Sequence, residues 1–98
     1  MYIVMNQFTL TPGKGEAFEG RWAERNTLLK SVPGYIRFRL LKGDDTHYSS
    51  YVEWASEAEF EAWTTSEAFR LAHSNPPPKD MFDGPPRLQC WEVIQEEA

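Results

Sequence analysis

Tyr35-Ile36-Arg37-Phe38-Arg39-Leu40-Leu41-Lys42, then Gly43-Asp44-Asp45-Thr46, then His47-Tyr48-Ser49-Ser50-Tyr51-Val52-Glu53-Trp54, is the stretch that decides the fold. Two runs rich in aromatic and aliphatic residues flank a short polar cluster containing glycine. That pattern reads as two strands joined by a hairpin loop. Upstream, residues 16–31 show helical spacing, with Phe18, Trp22, Leu29 and Val32 on one stripe, and Pro33-Gly34 stops the helix. Before them, residues 2–10 are an apolar run closed by Thr11-Pro12-Gly13-Lys14-Gly15, a strand and its turn. Downstream, Ser56 with Glu59 is a capping-box signature for a helix carrying Phe60 and Trp63. Thr64 with Glu67 repeats it, so the spacing predicts a break and restart near residues 64–66 and an end at Ser74-Asn75-Pro76. Residues 75–86, with five prolines and a glycine, are predicted as a loop, and residues 87–95 as the last strand.

The order is βαββαβ, a ferredoxin-like α+β arrangement in which two helices cover one face of a four-stranded antiparallel sheet. Residues 1–98 are expected to form a single domain. The first strand puts Val4, Phe8 and Leu10 on one side, with Ile3 and Met5 on the other. The last puts Leu88, Cys90 and Ile94 on one side, with Trp91 and Val93 on the other. Such strands do not alternate as sheets with one wet face do. At roughly 25 cal/mol per Å2, leaving the second face in water forfeits several kcal/mol. A second copy packed sheet to sheet, making a homodimer, is the expected remedy, the alternative being a mixed face left to solvent.

The 98 residues carry a formal net charge of −5 and no lysine-rich block, which argues against a nucleic-acid partner. Cys90 is the lone cysteine, so no disulfide scaffold is possible. Apolar runs are too short to span a bilayer. The N-terminus lacks a basic region followed by an apolar stretch. A soluble cytoplasmic protein is expected.

Five side chains stand out, each with a plain structural alternative. Asn6 shares a strand face with Val4 and Phe8, where an amide without partners costs roughly 1–3 kcal/mol. It is either satisfied by a nearby helix end or bulge, or available to a ligand. Trp63 is either core packing or a flat wall for a planar ligand. His73, one turn after Phe69, is either an exposed histidine favoured by the helix dipole or a neutral imidazole bound to iron. A non-haem metal needs more ligands than this chain offers, since His47 lies in the hairpin. Haem needs only one protein axial ligand. Arg25 interrupts the stripe of the first helix, with Arg21 one turn earlier. The two guanidinium groups repel one another and suit an amphipathic ligand with acidic groups, such as haem with its propionates. Alternatively they are solvated, with stems covering the core.

These residues resemble the small dimeric haem-degrading monooxygenases of the IsdG type, within the wider antibiotic-biosynthesis-monooxygenase-like superfamily. The likeness covers nearly the whole chain. It rests on Asn6 in the first strand and the Thr-Pro-Gly-Lys-Gly turn after it. It extends through Pro33-Gly34-Tyr35 and Glu53-Trp54-Ala55-Ser56-Glu57-Ala58-Glu59-Phe60 to Trp63 and His73. The resemblance implies a dimeric α+β barrel, with Asn6, Trp63 and His73 as the catalytic set. His73 is then the axial ligand of the haem iron, Trp63 the residue that presses on the porphyrin and ruffles it, and Asn6 a distal hydrogen-bond donor. It places Arg21 and Arg25 near the propionates and Trp22 beside the haem. It implies O2 as co-substrate, with an external electron donor and its reductase. The proline-rich loop after His73 departs from the family's pattern and points to a reshaped pocket mouth.

Much of the strand–helix pattern is shared with superfamily members that oxidise quinol-like substrates without metal or cofactor. The Asn, Trp and His set separates the two. The leading expectation is a haem-degrading monooxygenase that opens haem to a linear tetrapyrrole and releases iron. The competing expectations are a cofactor-independent quinol-type monooxygenase and a non-catalytic haem-binding or carrier protein.

Overall fold

A computed structural model describes residues 1–25 and 27–98. The elements run β1 (Tyr2–Thr9), α1 (Gly15–Glu24), β2 (Tyr35–Lys42), β3 (His47–Trp54), α2 (Glu57–Thr64), α3 (Glu67–Ala72) and β4 (Arg87–Glu92). The sheet is four-stranded with order β2-β3-β1-β4 and is antiparallel throughout. This is the ferredoxin-like α+β arrangement read from the sequence, with both hairpin strands at their expected bounds.

The differences have local causes. The helix expected over residues 16–31 stops at Glu24, where Arg25 turns extended and its N–H bonds Trp22 O. Leu28 then takes a left-handed conformation at φ 61, and Leu29–Ser31 forms a single tight turn. Leu29 and Val32 therefore pack in a different cluster from Phe18 and Trp22. One apolar spacing had joined two separate elements. Ser56 caps α2 as expected, its hydroxyl accepting from the Glu59 N–H. At the restart the cap is Ser66, which accepts from the Phe69 N–H, and not Thr64, whose hydroxyl donates back to Glu61 O. A β-region residue with a side-chain acceptor suits that position, whereas Thr64 is still helical. The 75–86 loop contains a tight turn at Lys79–Met81 that buries Met81, and Leu10 bridges Phe82 instead of extending β1. β4 ends at Glu92, short of residue 95.

The helix-covered face carries two apolar clusters. One gathers Val4, Leu29, Trp54 and Trp63 under α2 and α3. The other gathers Leu10, Phe18, Tyr48 and Met81 under α1, with Phe8, Trp22 and Phe82 packed against it. The Tyr48 hydroxyl donates to the Glu19 carboxylate, which pins α1 to β3. The opposite face is mixed. A register shift at Ile36 sends Arg37 and Arg39 outward, where they flank the buried Glu53 at 3.4 and 3.6 Å, and the Tyr51 hydroxyl donates to the same carboxylate. Ile3, Met5 and Trp91 share that face by strand alternation, and Trp91 is 53% exposed.

Candidate functional site

Asn6 lies between Val4 and Phe8 on the helix-covered face of β1, and so falls between the two clusters. Its cross-strand neighbours are Ser50, which is buried, and Leu88, which is 60% exposed. Among the described residues its half-buried amide takes part in no side-chain hydrogen bond. The expected rescue by a helix end or a bulge does not occur.

The clusters form the two sides of this seam. On the α1 side, Trp22 stacks on Phe38 with centroids 5.3 Å apart and touches Phe8 at 6.4 Å. On the α3 side, Trp63 meets Phe69 edge to face at 5.3 Å, and Phe69 stacks on His73 at 4.0 Å. Trp63 and His73 are 6.5 Å apart. Trp63 is 7% exposed, so the open aromatic wall expected there is a buried ring that backs Phe69 and His73. His73 is exposed and opens onto a depression of about 460 Å3 shared with Thr64, Ser66, Glu67, Phe69 and Arg70.

His73 caps the carboxy end of α3. Its backbone N–H bonds Phe69 O at 3.1 Å, and its Nδ1 lies 2.8 Å from the same oxygen. A carbonyl can only accept, so Nδ1 carries the proton and Nε2 presents a lone pair outward. This orients an imidazole in the manner of a metal ligand whose other nitrogen is fixed by a backbone carbonyl.

Arg21 and Arg25 reach across from α1. Arg21 Nη2 donates to Asn75 O at 3.0 Å and Arg25 Nη2 to Ala72 O at 3.1 Å. The Arg25 guanidinium also lies 4.6 Å over the Trp22 ring. Burial, and after it the charge of Arg21, pull Arg25 below its ordinary pKa, and it stays a cation. Neither arginine forms an ion pair with an acid among the described residues. The arginines, Trp22, Trp63 and His73 are thus linked around the end of α3, while Asn6 lies apart on the sheet floor. Ser50 and the carbonyls of Phe69 and Ala72 escaped the sequence reading. A backbone acceptor leaves no trace in residue types, and Ser50 became a neighbour of Asn6 only through the β1–β3 register. No group of three or more His, Cys, Asp or Glu placed to hold a metal ion occurs among the described residues.

The sequence profile of the antibiotic biosynthesis monooxygenase family matches residues 1–75. The chain belongs to that family. Within it, the chain is 32% identical over 79 residues to a haem oxygenase (staphylobilin-producing) of Staphylococcus haemolyticus, covering 76% of this chain and 75% of the relative. It is 28% identical over 95 residues to a haem oxygenase (mycobilin-producing) of Mycobacterium tuberculosis, covering 94% and 88%. Among solved structures, the haem-degrader MhuD of Mycobacterium tuberculosis, with two haems bound in its active site, superimposes with a TM-score of 0.80 at 25% identity over the whole of both chains. Among these antibiotic biosynthesis monooxygenase family members, the similarity therefore runs to proteins that degrade haem. No helix among the described residues is long and apolar enough to cross a membrane.

Proposed function

We propose that this protein is a haem-degrading monooxygenase that cleaves haem oxidatively to an open tetrapyrrole and releases iron, using O2 and an external electron donor. The observation that carries this reading is the His73 imidazole. Its Nδ1 is fixed to the Phe69 carbonyl and its Nε2 is open, in a chain whose relatives are haem oxygenases. The residues present fit haem: one orientable imidazole, aromatic surfaces, and, among the described residues, an amide without a side-chain partner and two cations without acid partners.

His73 would hold the haem iron through Nε2. Phe69 would give the ligand an aromatic boundary, and Trp63, buried behind it, would keep that boundary rigid against a flat ring and so favour its bending. Asn6 would offer its amide N–H from the sheet floor as a hydrogen-bond donor to the bound ligand. Arg21 and Trp22 would form the rim that meets the carboxylates, with Arg25 beside them donating to the Ala72 carbonyl. When bound, haem supplies the iron centre at which O2 is activated, and haem is also the substrate. The protein orients it and excludes water.

The assembly we propose is a homodimer in which two outer sheet faces pack together, closing a dimeric α+β barrel over residues 1–98. Exposed Trp91, with Ile3 and Met5 beside it, supports that reading. The exposed free thiol of Cys90 suits a reducing compartment, and we assign the protein to the cytoplasm, with a reductase as partner.

The test is haem titration followed by spectra during aerobic reduction with ascorbate or a reductase. Saturable binding followed by loss of the Soret band supports degradation. A Soret band that persists under air identifies a carrier, and no haem affinity identifies a cofactor-independent enzyme.

A further inference from the structure

The two arginines that the sequence assigned to a ligand's carboxylates are engaged with the protein itself. Arg25 donates to Ala72 O and Arg21 to Asn75 O, and these carbonyls bracket His73 in the chain. The helix they touch needs support. α3 has six residues and no buried side chain. Helices that short are unstable on their own, because few hydrogen bonds offset the cost of nucleation. Its last turn positions the His73 ring, since Phe69 O accepts from both the backbone N–H and Nδ1 of His73. A guanidinium at the carboxy end of a helix also opposes the partial negative charge of the unsatisfied carbonyls. Arg25 is well placed to supply it. Its guanidinium is held over the Trp22 ring at 4.6 Å, and Trp22 is itself stacked on Phe38 in β2. The sequence sheet–Phe38–Trp22–Arg25–Ala72–His73 is therefore a continuous support running from the sheet to the imidazole. Arg21, by contrast, reaches the exposed loop residue Asn75 and, among the described residues, has no ring beneath it.

We propose that Arg25 is a positioning residue that fixes the His73 imidazole through the Ala72 carbonyl, leaving Arg21 as the cation that meets a ligand's carboxylates. This rests on the reading of His73 as the axial ligand.

The test titrates haem and its dimethyl ester, which lacks free carboxylates, into wild type, Arg25→Met and Arg25→Lys. It repeats both titrations in a His73→Gly background supplied with imidazole. Arg25→Met is expected to weaken both ligands about tenfold, the scale of one charge-assisted hydrogen bond. It is also expected to alter the axial-ligand spectrum. Arg25→Lys is expected to recover part of the loss, and Arg25→Met to have no further effect in the imidazole-supplied background. A loss seen with haem but absent with the ester overturns the proposal, because Arg25 then pairs with carboxylates. A loss that persists without His73 overturns it as well. If wild type binds neither ligand, the haem reading fails, and amide hydrogen exchange still decides the role of Arg25. Arg25→Met must then speed exchange at the His73 and Ser74 amides, which bond Phe69 O and Leu71 O, without changing β1. Unchanged exchange there sinks it.

Discussion

The Nδ1 of His73 and the carbonyl oxygen of Phe69 are 2.8 Å apart, and the rings of the two residues stack at 4.0 Å. The contact selects one tautomer and points Nε2 away from the helix. His73→Ala is therefore expected to lose the Soret signature of ligated haem, and added imidazole to restore it. The ring is exposed, so stability should change by no more than about 1 kcal/mol. Haem spectra paired with a urea titration check both parts, and an unchanged Soret band in the variant removes the axial-ligand assignment.

Trp63 needs a gentler substitution than alanine. It is buried against Trp54 and Phe69, and truncating such a residue costs roughly 3–5 kcal/mol, enough to confuse folding with function. Trp63→Phe keeps a ring in place while removing the broad indole. The expected outcome is haem binding close to wild type with turnover slowed severalfold. Wild-type turnover in a folded Trp63→Phe protein would count against a distorting role.

The sheet was legible in the sequence because its signals are local. The hairpin from Tyr35 to Trp54 has strand-forming residues on both sides of a turn cluster, and the Ser56 cap announces α2. The end of α1 was hidden for a physical reason. Leu29 and Val32 keep helical spacing with Phe18 and Trp22, but the chain turns extended at Arg25 without glycine or proline to mark it, and a left-handed Leu28 then opens a separate turn. The site was legible as residue types and not as contacts. His73 and Asn6 could be singled out, yet the Phe69 carbonyl that orients the one is a backbone acceptor at the helix end, and the Ser50 row that flanks the other depends on strand register. The arginines were read through their charge, while their partners proved to be backbone oxygens.

Asn6 is a place where function and stability should separate. Its half-buried amide sits between two apolar clusters without a side-chain hydrogen-bond partner among the described residues, and its polar atoms still reach solvent. Asn6→Leu replaces it with an apolar side chain of similar volume. The variant is expected to gain thermal stability and to lose most haem turnover while still binding haem. Calorimetry and a turnover assay on the same preparation test the pair of effects. A variant that turns over normally shows that the amide has no part in the reaction.

Gly34 and Glu59 are fitted to one another. Gly34 has φ +84, a conformation that costs residues with a Cβ roughly 1–2 kcal/mol. A methyl group added there would overlap the Glu59 carboxylate and lie 2.6 Å from Glu59 Cβ. Gly34→Ala is therefore expected to destabilise the fold by about 2 kcal/mol or more. Glu59→Ala should recover part of that loss, because it clears the carboxylate but leaves the backbone strain and the Cβ. A double-mutant cycle measured by urea denaturation separates the two contributions. Strict additivity would mean that the carboxylate moves aside at no cost.

The hairpin gives a pH dependence of known sign. Asp44 accepts from the Thr46 N–H at 2.9 Å, and its carboxylate also bonds the His47 ring and the Thr46 hydroxyl. These contacts hold it at about 2 against an ordinary 3.8, with the Thr46 backbone bond the largest cause and His47 next. Because the folded value is the lower one, folding favours the ionised group. That contribution is fully present above about pH 4 and is lost as the pH falls toward 2. Asp44→Asn keeps a side-chain oxygen for the Thr46 N–H but cannot ionise. The wild-type urea midpoint is therefore expected to fall more steeply than that of Asp44→Asn between pH 5 and about 2. Because the carboxylate is exposed, the difference should shrink when the same series is run in high salt. Other acids, Glu19 and Glu67 among them, titrate alike in both proteins and cancel in the comparison. Parallel midpoint profiles across that window would show that the Asp44 turn does not couple to global folding.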